Sequence, residues 1–227
     1  MIIEEINAIA EKYDLQQIHA GHQKDQYIDL TQLKTYTIDD VNTHEIDDAI
    51  SLEINKQKTI IWIHIANPSS FINLNSVIDI KARKKATSIY LPDRVDLMLP
   101  DRITNNFLSL TSGRLAPALS ASVELDKDAE IINYSISPSI IKTDYNLTYN
   151  DADELIELKP PQEEELSILA NLMIKRCKWR QTRGAIMLEQ PEGRLSYKGK
   201  EIVLNIIEPT PSRMLIRECM IMMGFLI

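Results

Sequence analysis

Cysteine is scarce: Cys177 and Cys219 are the two in 227 residues. Both fall in helix-like apolar patterns, so no disulfide framework is available, and two buried free thiols in a reducing compartment are expected. No run of roughly 18 apolar residues occurs, as a membrane-spanning helix needs, so no membrane partner is expected. The N-terminus, Met1-Ile-Ile-Glu-Glu5, lacks the basic residues that open a secretory signal, and a cytoplasmic location is expected. Positive charge is in deficit, with 25 Lys and Arg against 33 Asp and Glu and a net charge of −8. That balance argues mildly against a protein that coats nucleic acid non-specifically, and it leaves room for an enzyme whose acids hold metal and whose basic groups are local. Hydrophobic residues at 44% and charged ones at 26% are ordinary globular values, without a signature of disorder. A chain of this length can bury a sizeable core, in one domain or two.

What is abundant is acid, and it is concentrated. In Tyr36-Thr-Ile-Asp39-Asp-Val-Asn-Thr-His-Glu45-Ile-Asp47-Asp48-Ala-Ile50, a strand-like lead-in enters a turn and an apolar run follows. Asp39, Glu45, Asp47 and Asp48 fall within ten positions, at spacings of six, eight and nine from Asp39, with Asp40 a fifth acid. Like charges that close repel unless a cation sits among them. Oxygen ligands of this type suit a hard divalent ion, Mg²⁺ or Ca²⁺. A solvated acidic loop capping the next element fits the spacing equally well. The EF-hand pattern is excluded, because no glycine stands at its turn position and no glutamate closes a twelve-residue loop.

The pattern along the chain predicts an α+β fold, a twisted and mostly antiparallel sheet packed by helices. Ile2, Ile6, Ile9, Ala10 and Tyr13 share one side of a short amphipathic helix, and a polar linker with solvated His19 and His22 follows. Ala49–Ile54 and Thr59–Ala66 read as strands joined at Lys56-Gln57-Lys58, the second apolar on both faces and therefore central, with His64 satisfied in the core. Ser76 and Asp79 have capping-box spacing for a helix running to about Ala86, whose Lys81, Arg83, Lys84 and Lys85 form a solvated face or meet phosphates. Leu119–Leu125 and Glu130–Pro138 read as a hairpin. After Pro160-Pro161, acids open a helix with the stripe Leu166, Leu169, Ala170, Met173 and Cys177. It closes with Lys175, Arg176, Lys178, Arg180 and Arg183 around Trp179, which either complement the helix dipole or form a groove that tracks phosphates. Thr210 and Pro211 cap a last helix, apolar nearly all round and expected to be buried, in which the charges of Arg217 and Glu218 stand out.

Two blocks carry a family resemblance. Thr37-Ile38-Asp39 with Asp47-Asp48-Ala49 resembles the first signature of the ribonuclease II and ribonuclease R family, the RNB-domain exoribonucleases, with Glu45 where the family has aspartate. Ala86-Thr-Ser-Ile-Tyr90-Leu-Pro92-Asp-Arg94-Val, Met98-Leu-Pro100 and Asn105-Asn-Phe-Leu-Ser-Leu110 are similar to its second signature, in the right order and spacing. Leu147-Thr-Tyr149 resembles the segment whose tyrosine holds the 3′-terminal nucleotide, with Tyr145 the nearest competitor. Glu218 matches the second glutamate of a family Glu-Glu pair that faces the active site, whereas Arg217 departs from that pair. Leu188 stands where ribonuclease II has an aromatic that stacks bases.

The resemblance implies a Mg²⁺-dependent exoribonuclease that degrades single-stranded RNA from its 3′ end and releases nucleoside 5′-monophosphates. Asp39, Glu45, Asp47 and Asp48 are then the metal set, Glu45 as a fourth ligand or behind the other three. Tyr149 and Glu218 position the terminal nucleotide, Tyr90 lies near the strand's path, and Arg180 and Arg183 meet RNA. Residues 1–28 are expected to be a helix and linker, and 29–227 the catalytic domain without its later part, which supplies an arginine in the family. A second chain or a missing segment completing that domain is an expected partner. The competing expectation is a non-catalytic fragment or pseudo-enzyme that binds RNA or a partner chain. A Mg²⁺ or Ca²⁺ module unrelated to RNA would require both signature blocks to be coincidence.

Overall fold

The computed structural model describes residues 2–12, 27–41, 43, 45–55, 58–91, 94–187, 192–198 and 201–227. His19, His22, Lys56, Gln57, Pro92, Asp93 and Leu188 lie outside the described residues. Period-two alternation builds a seven-stranded sheet from β1 (Ile28–Asp29), β2 (Thr35–Asp39), β3 (Asp48–Ile54), β4 (Thr59–Ala66), β7 (Leu115–Leu125), β8 (Ile131–Lys142) and β9 (Tyr145–Thr148). Its order is β1-β8-β7-β4-β3-β2-β9, so β4 is the middle strand, as its two apolar faces require. All neighbours are antiparallel except β1 with β8 and β2 with β9. Two small ladders stand apart, β5 (Ile89–Tyr90) with β6 (Val95–Asp96), and β10 (Glu192–Lys198) with β11 (Glu201–Ile207).

One face of the sheet is apolar. Tyr36, Ile38, Ile50, Leu52, Ile61, Ile63, Ala121 and Val123 meet helices α3 (Tyr149–Leu158), α4 (Glu164–Thr182) and α5 (Pro211–Leu226) in the main core. The opposite face carries a buried polar chain across five strands. Thr35 Oγ1 lies 2.9 Å from Ser51 Oγ, Ser51 Oγ 3.0 Å from His64 Nε2, and His64 Nδ1 2.6 Å from Ser120 Oγ, which bonds Ser139 Oγ. Burial pushes the His64 pKa down to about 3, so its neutral ring donates from one nitrogen and accepts at the other. His64 is the satisfied core histidine that its sequence context predicts. A second cluster packs α1 (Ile2–Lys12), through Ile6 and Ile9, on Phe71, Ile78, Ile103 and Leu108.

The helices start where their caps lie. Ser76 Oγ accepts from Asp79 N–H at 3.2 Å to open α2 (Val77–Lys85), but Asp79 reaches back to Asn75 N–H at 2.6 Å rather than to the cap residue. Thr148 and Asp151 form a full reciprocal capping box on α3, a helix that the sequence reading does not include. At α5, Thr210 Oγ1 accepts from Arg213 N–H, while Ser212 donates from N–H to Asp153 Oδ1 at 2.8 Å and from Oγ to the Tyr149 carbonyl at 3.1 Å. The start of α5 is therefore locked to the start of α3. The expected all-round burial of α5 is not found: Leu215, Cys219, Met222 and Met223 are buried, whereas Arg217, Ile221 and Phe225 are exposed, because the sheet and the other helices cover one side only.

Ile63 on β4 is fully buried among the helices, so Ile63→Ala is expected to destabilise the fold by about 2–5 kcal/mol. Urea unfolding should show the loss in the midpoint, with an unchanged slope.

Candidate active site

The acidic block lies where three strand ends meet. β2 ends at Asp39 and β3 begins at Asp48, and their antiparallel pairing brings both carboxylates to one end of the sheet. The Asp47 carbonyl accepts from Ala66 N–H at 2.8 Å, and Ile46 exchanges bonds with Ser109 and Leu110, so the approach to Asp48 is tied to the sheet and not free in solvent. Burial, followed by the charges of Asp48, Asp47 and Asp40, pushes the Asp39 pKa up to about 7. Burial and then Asp47 push Asp48 up to about 6, and burial and then Glu45 raise Asp47. Asp39 Oδ2 is buried without a hydrogen-bond partner. Such groups, desolvated and repelling, mark a functional site more often than a structural one.

β9 supplies the next component. It runs parallel to β2 with Asp39 opposite Thr148, so the following residue, Tyr149, starts α3 beside the acids. Burial and then the Asp39 charge push the Tyr149 pKa up to about 12, against the pull of Arg213. The Arg213 guanidinium lies 3.9 Å over the Tyr149 ring and donates to Asp40 Oδ1 at 2.7 Å. Sequence reasoning missed Arg213, since nothing near it in the chain announces a contact with Asp40, 173 positions away. Tyr145 is elsewhere, stacked on Tyr36 at 5.4 Å and close to Glu163, so of the two tyrosines Tyr149 is the one beside the acids.

Glu45 ties the two signature blocks together. Its Oε2 accepts from Ser88 Oγ and from Tyr90 Oη, each at 3.1 Å. Tyr90 is 63% exposed, with its hydroxyl anchored beside the acidic loop. Glu218 has a cationic partner of its own. It is fully buried on α5, and both carboxylate oxygens accept from Arg180, Oε2 from Nε at 2.9 Å and Oε1 from Nη2 at 2.8 Å. Two more cations of the cluster, Arg176 and Arg183, also have local partners. Arg176 donates to the Ala129 carbonyl, Arg183 pairs with Glu130 at 3.5 Å, and both guanidinium groups lie within 5 Å of the Trp179 ring centre, at 4.0 and 4.7 Å. The structure thus brings together Asp39, Asp47, Asp48 and Tyr149, joins Glu45 to Tyr90, and pairs Glu218 with Arg180. It sets Arg183 on the exposed end of α4.

As donors, Asp39, Asp47 and Asp48 fit a hard divalent cation, which would relieve their mutual repulsion and give the unpartnered Asp39 oxygen a ligand. Among the described residues no three acid, histidine or cysteine side chains stand close enough to hold an ion as placed.

Two outcomes follow from these electrostatics. A carboxyl with a raised folded-state pKa holds its proton more tightly folded than unfolded, so stability falls as pH rises from near 3.8 through about 7. In EDTA, Asp39→Asn is therefore expected to stabilise the chain above pH 7, by on the order of 1 kcal/mol, with the gain vanishing near pH 4. Denaturant unfolding at the two pH values checks this, and equal gains at both would refute it. Arg180→Met strands the buried Glu218 charge and is expected to cost about 3–5 kcal/mol, most of it recovered by adding Glu218→Met. No recovery in the double variant would show that the pair is not the source of the loss.

Comparison with known proteins agrees with this geometry. The RNB domain signature matches residues 27–227. An uncharacterized ribonuclease of Synechocystis sp. is 40% identical over 198 residues, covering 86% of this chain and 30% of its own length. The chloroplastic/mitochondrial ribonuclease II of Arabidopsis thaliana is 37% identical over 185 residues, 81% of this chain and 22% of its own. The chain thus spans less than a third of these two relatives. A Mycoplasma genitalium RNase R, solved in complex with ribose methylated single-stranded RNA, shares the fold with a TM-score of 0.84 at 24% identity, over 92% of this chain and 33% of that one. With its acids at the strand ends, Tyr149 beside them and the domain signature spanning residues 27–227, this chain belongs to the RNB-domain family.

Proposed function

We propose that the chain carries the acidic part of an exoribonuclease site that shortens single-stranded RNA from its 3′ end and releases nucleoside 5′-monophosphates. The observation that carries this reading is the convergence of Asp39, Asp47, Asp48 and Tyr149 at one end of the sheet, in a family whose relatives are named ribonucleases. Asp39, Asp47 and Asp48 would hold Mg²⁺, with Glu45 behind Asp47. Bound there, the ions supply neutralised phosphate charge and an activated water. Tyr149 places the terminal nucleotide against the acids, and fixed placement is itself a large catalytic term. Glu218, held by Arg180, takes part in that placement from α5. Tyr90 offers an exposed ring for a base, and base–aromatic stacking tolerates any sequence. Arg183, at the exposed end of α4, adds a phosphate contact.

Residues 29–227 are the catalytic part in this reading, with 1–28 ahead of it. A further segment or a second chain supplies the remainder, including an arginine at the reacting phosphate. No helix among the described residues is long and apolar enough to cross a membrane, and we assign the reaction to the cytoplasm.

The test is the fate of 5′-labelled single-stranded RNA with the purified chain, in Mg²⁺ and in EDTA. The expected result is Mg²⁺-dependent shortening from the 3′ end, reduced by at least about 10²-fold in Asp48→Asn, the scale of losing a group that acts in the transition state. Intact RNA beside a folded protein would sink catalysis by this chain alone. Shortening that persists in EDTA would sink the metal assignment.

A further inference from the structure

A cavity of about 510 Å³ opens beside the candidate site, with Tyr149 and Arg213 in its wall. Tyr149, Ile174, Ile207, Glu208, Arg213 and Arg217 are among the residues that line it. It shares no lining residue with the cavity around Glu218 and Trp179. Its volume falls in the range of ~300–1,000 Å³ that small-molecule sites occupy.

The walls have a specific chemistry. Arg213 is stacked on Tyr149 and tethered to Asp40, which holds a planar cation at the cavity edge, and such planes stack on bases. Ile174 and Ile207 supply apolar surface. Arg217 follows Arg213 by one helical turn on α5, which places both on the same side of the helix. It is exposed and forms no ion pair among the described residues. Arg213 has its charge committed to Asp40, and Glu208 adds a negative charge to the wall. A bare phosphate would therefore find one uncommitted cation and one repelling carboxylate. A nucleotide can add stacking on Arg213 and give a hydroxyl or amino hydrogen to Glu208.

We propose that this cavity binds a single nucleoside 5′-monophosphate, its phosphate on Arg217 and its base on the Arg213–Tyr149 stack. The choice of ligand rests on the ribonuclease reading, in which a mononucleotide is the product. The binding itself requires neither metal nor cleavage.

Calorimetric titration of the intact chain in EDTA tests it, with adenosine 5′-monophosphate, adenosine and inorganic phosphate as probes. The nucleotide is expected to bind at least about tenfold more tightly than either fragment, a gap of about 1.4 kcal/mol. Arg217→Glu should weaken nucleotide binding by at least about tenfold, and Arg217→Lys should keep most of it, because a phosphate needs the charge more than the fork. Arg217 is exposed, so these variants report on binding while circular dichroism confirms the fold. Nucleotide binding no tighter than phosphate, or unchanged in Arg217→Glu, would overturn the proposal. A chain that binds the nucleotide but leaves RNA intact keeps this site and loses the proposed reaction. A chain that shortens RNA without binding the nucleotide does the reverse.

Discussion

The parallel pairing of β9 with β2 is the constraint on which the rest of the site depends. With Thr148 opposite Asp39, the chain leaves the sheet as a capped helix whose first residue is Tyr149, next to the acids. A slip of one residue would turn the side chains of β9 to the other face of the sheet and carry Tyr149 out of its place after the Asp39–Thr148 pair. The same register fixes α5, because Ser212 bonds the Tyr149 carbonyl and the Asp153 side chain at the other end of the chain. Arg213 follows directly and reaches back to Asp40. Three short segments distant in sequence are thereby held by hydrogen bonds that leave little freedom to the side chains between them.

The buried Glu218–Arg180 pair shows a different balance. Glu218 is fully removed from water while Arg180 keeps 22% of its side chain exposed, and a buried charge that loses its partner is expensive. The pair is bidentate and joins α4 to α5, and burial, followed by the charges of Asp48 and Glu218, raises the thiol pKa of the adjacent Cys219. Both Glu218 oxygens accept from Arg180, and each keeps acceptor capacity beyond that bond.

How much of this was legible in the sequence depended on how local the determinant is. The strands β3 and β4 follow from alternation, and the starts of α4 and α5 from prolines, acids and Thr210. β7 and β8 run further than expected at Pro117 and Pro138, since a proline is tolerated where its missing N–H is not needed by a neighbour. Helix α3 is missed although Tyr149, Ala152, Leu155 and Ile156 form a short apolar stripe and Thr148 and Asp151 have cap spacing, because the acids between them read as a loop. The acids were visible as a cluster, but their spacing alone left a metal site and a solvated loop open. Burial and convergence are properties of the sheet. Arg213 had no sequence signal at all, because its partners come from two other elements.

The two ends of the polarity problem in this sheet separate structure from function. Across the face opposite the helices, Thr35, Ser51, His64, Ser120 and Ser139 are as buried as any core residue, and each one has a hydrogen-bond partner among the others. A closed network of neutral groups rigidifies a fold and asks nothing of solvent or ligand. At the strand ends the reverse holds: the acids repel, their protons are held above the ordinary carboxylate range, and one oxygen of Asp39 is left without a partner. A sheet that satisfies five buried polar side chains so fully has the means to satisfy a sixth. The mutual repulsion of Asp39 and Asp48 and the unpartnered Asp39 oxygen are what a divalent cation would relieve, and the metal proposal rests on them.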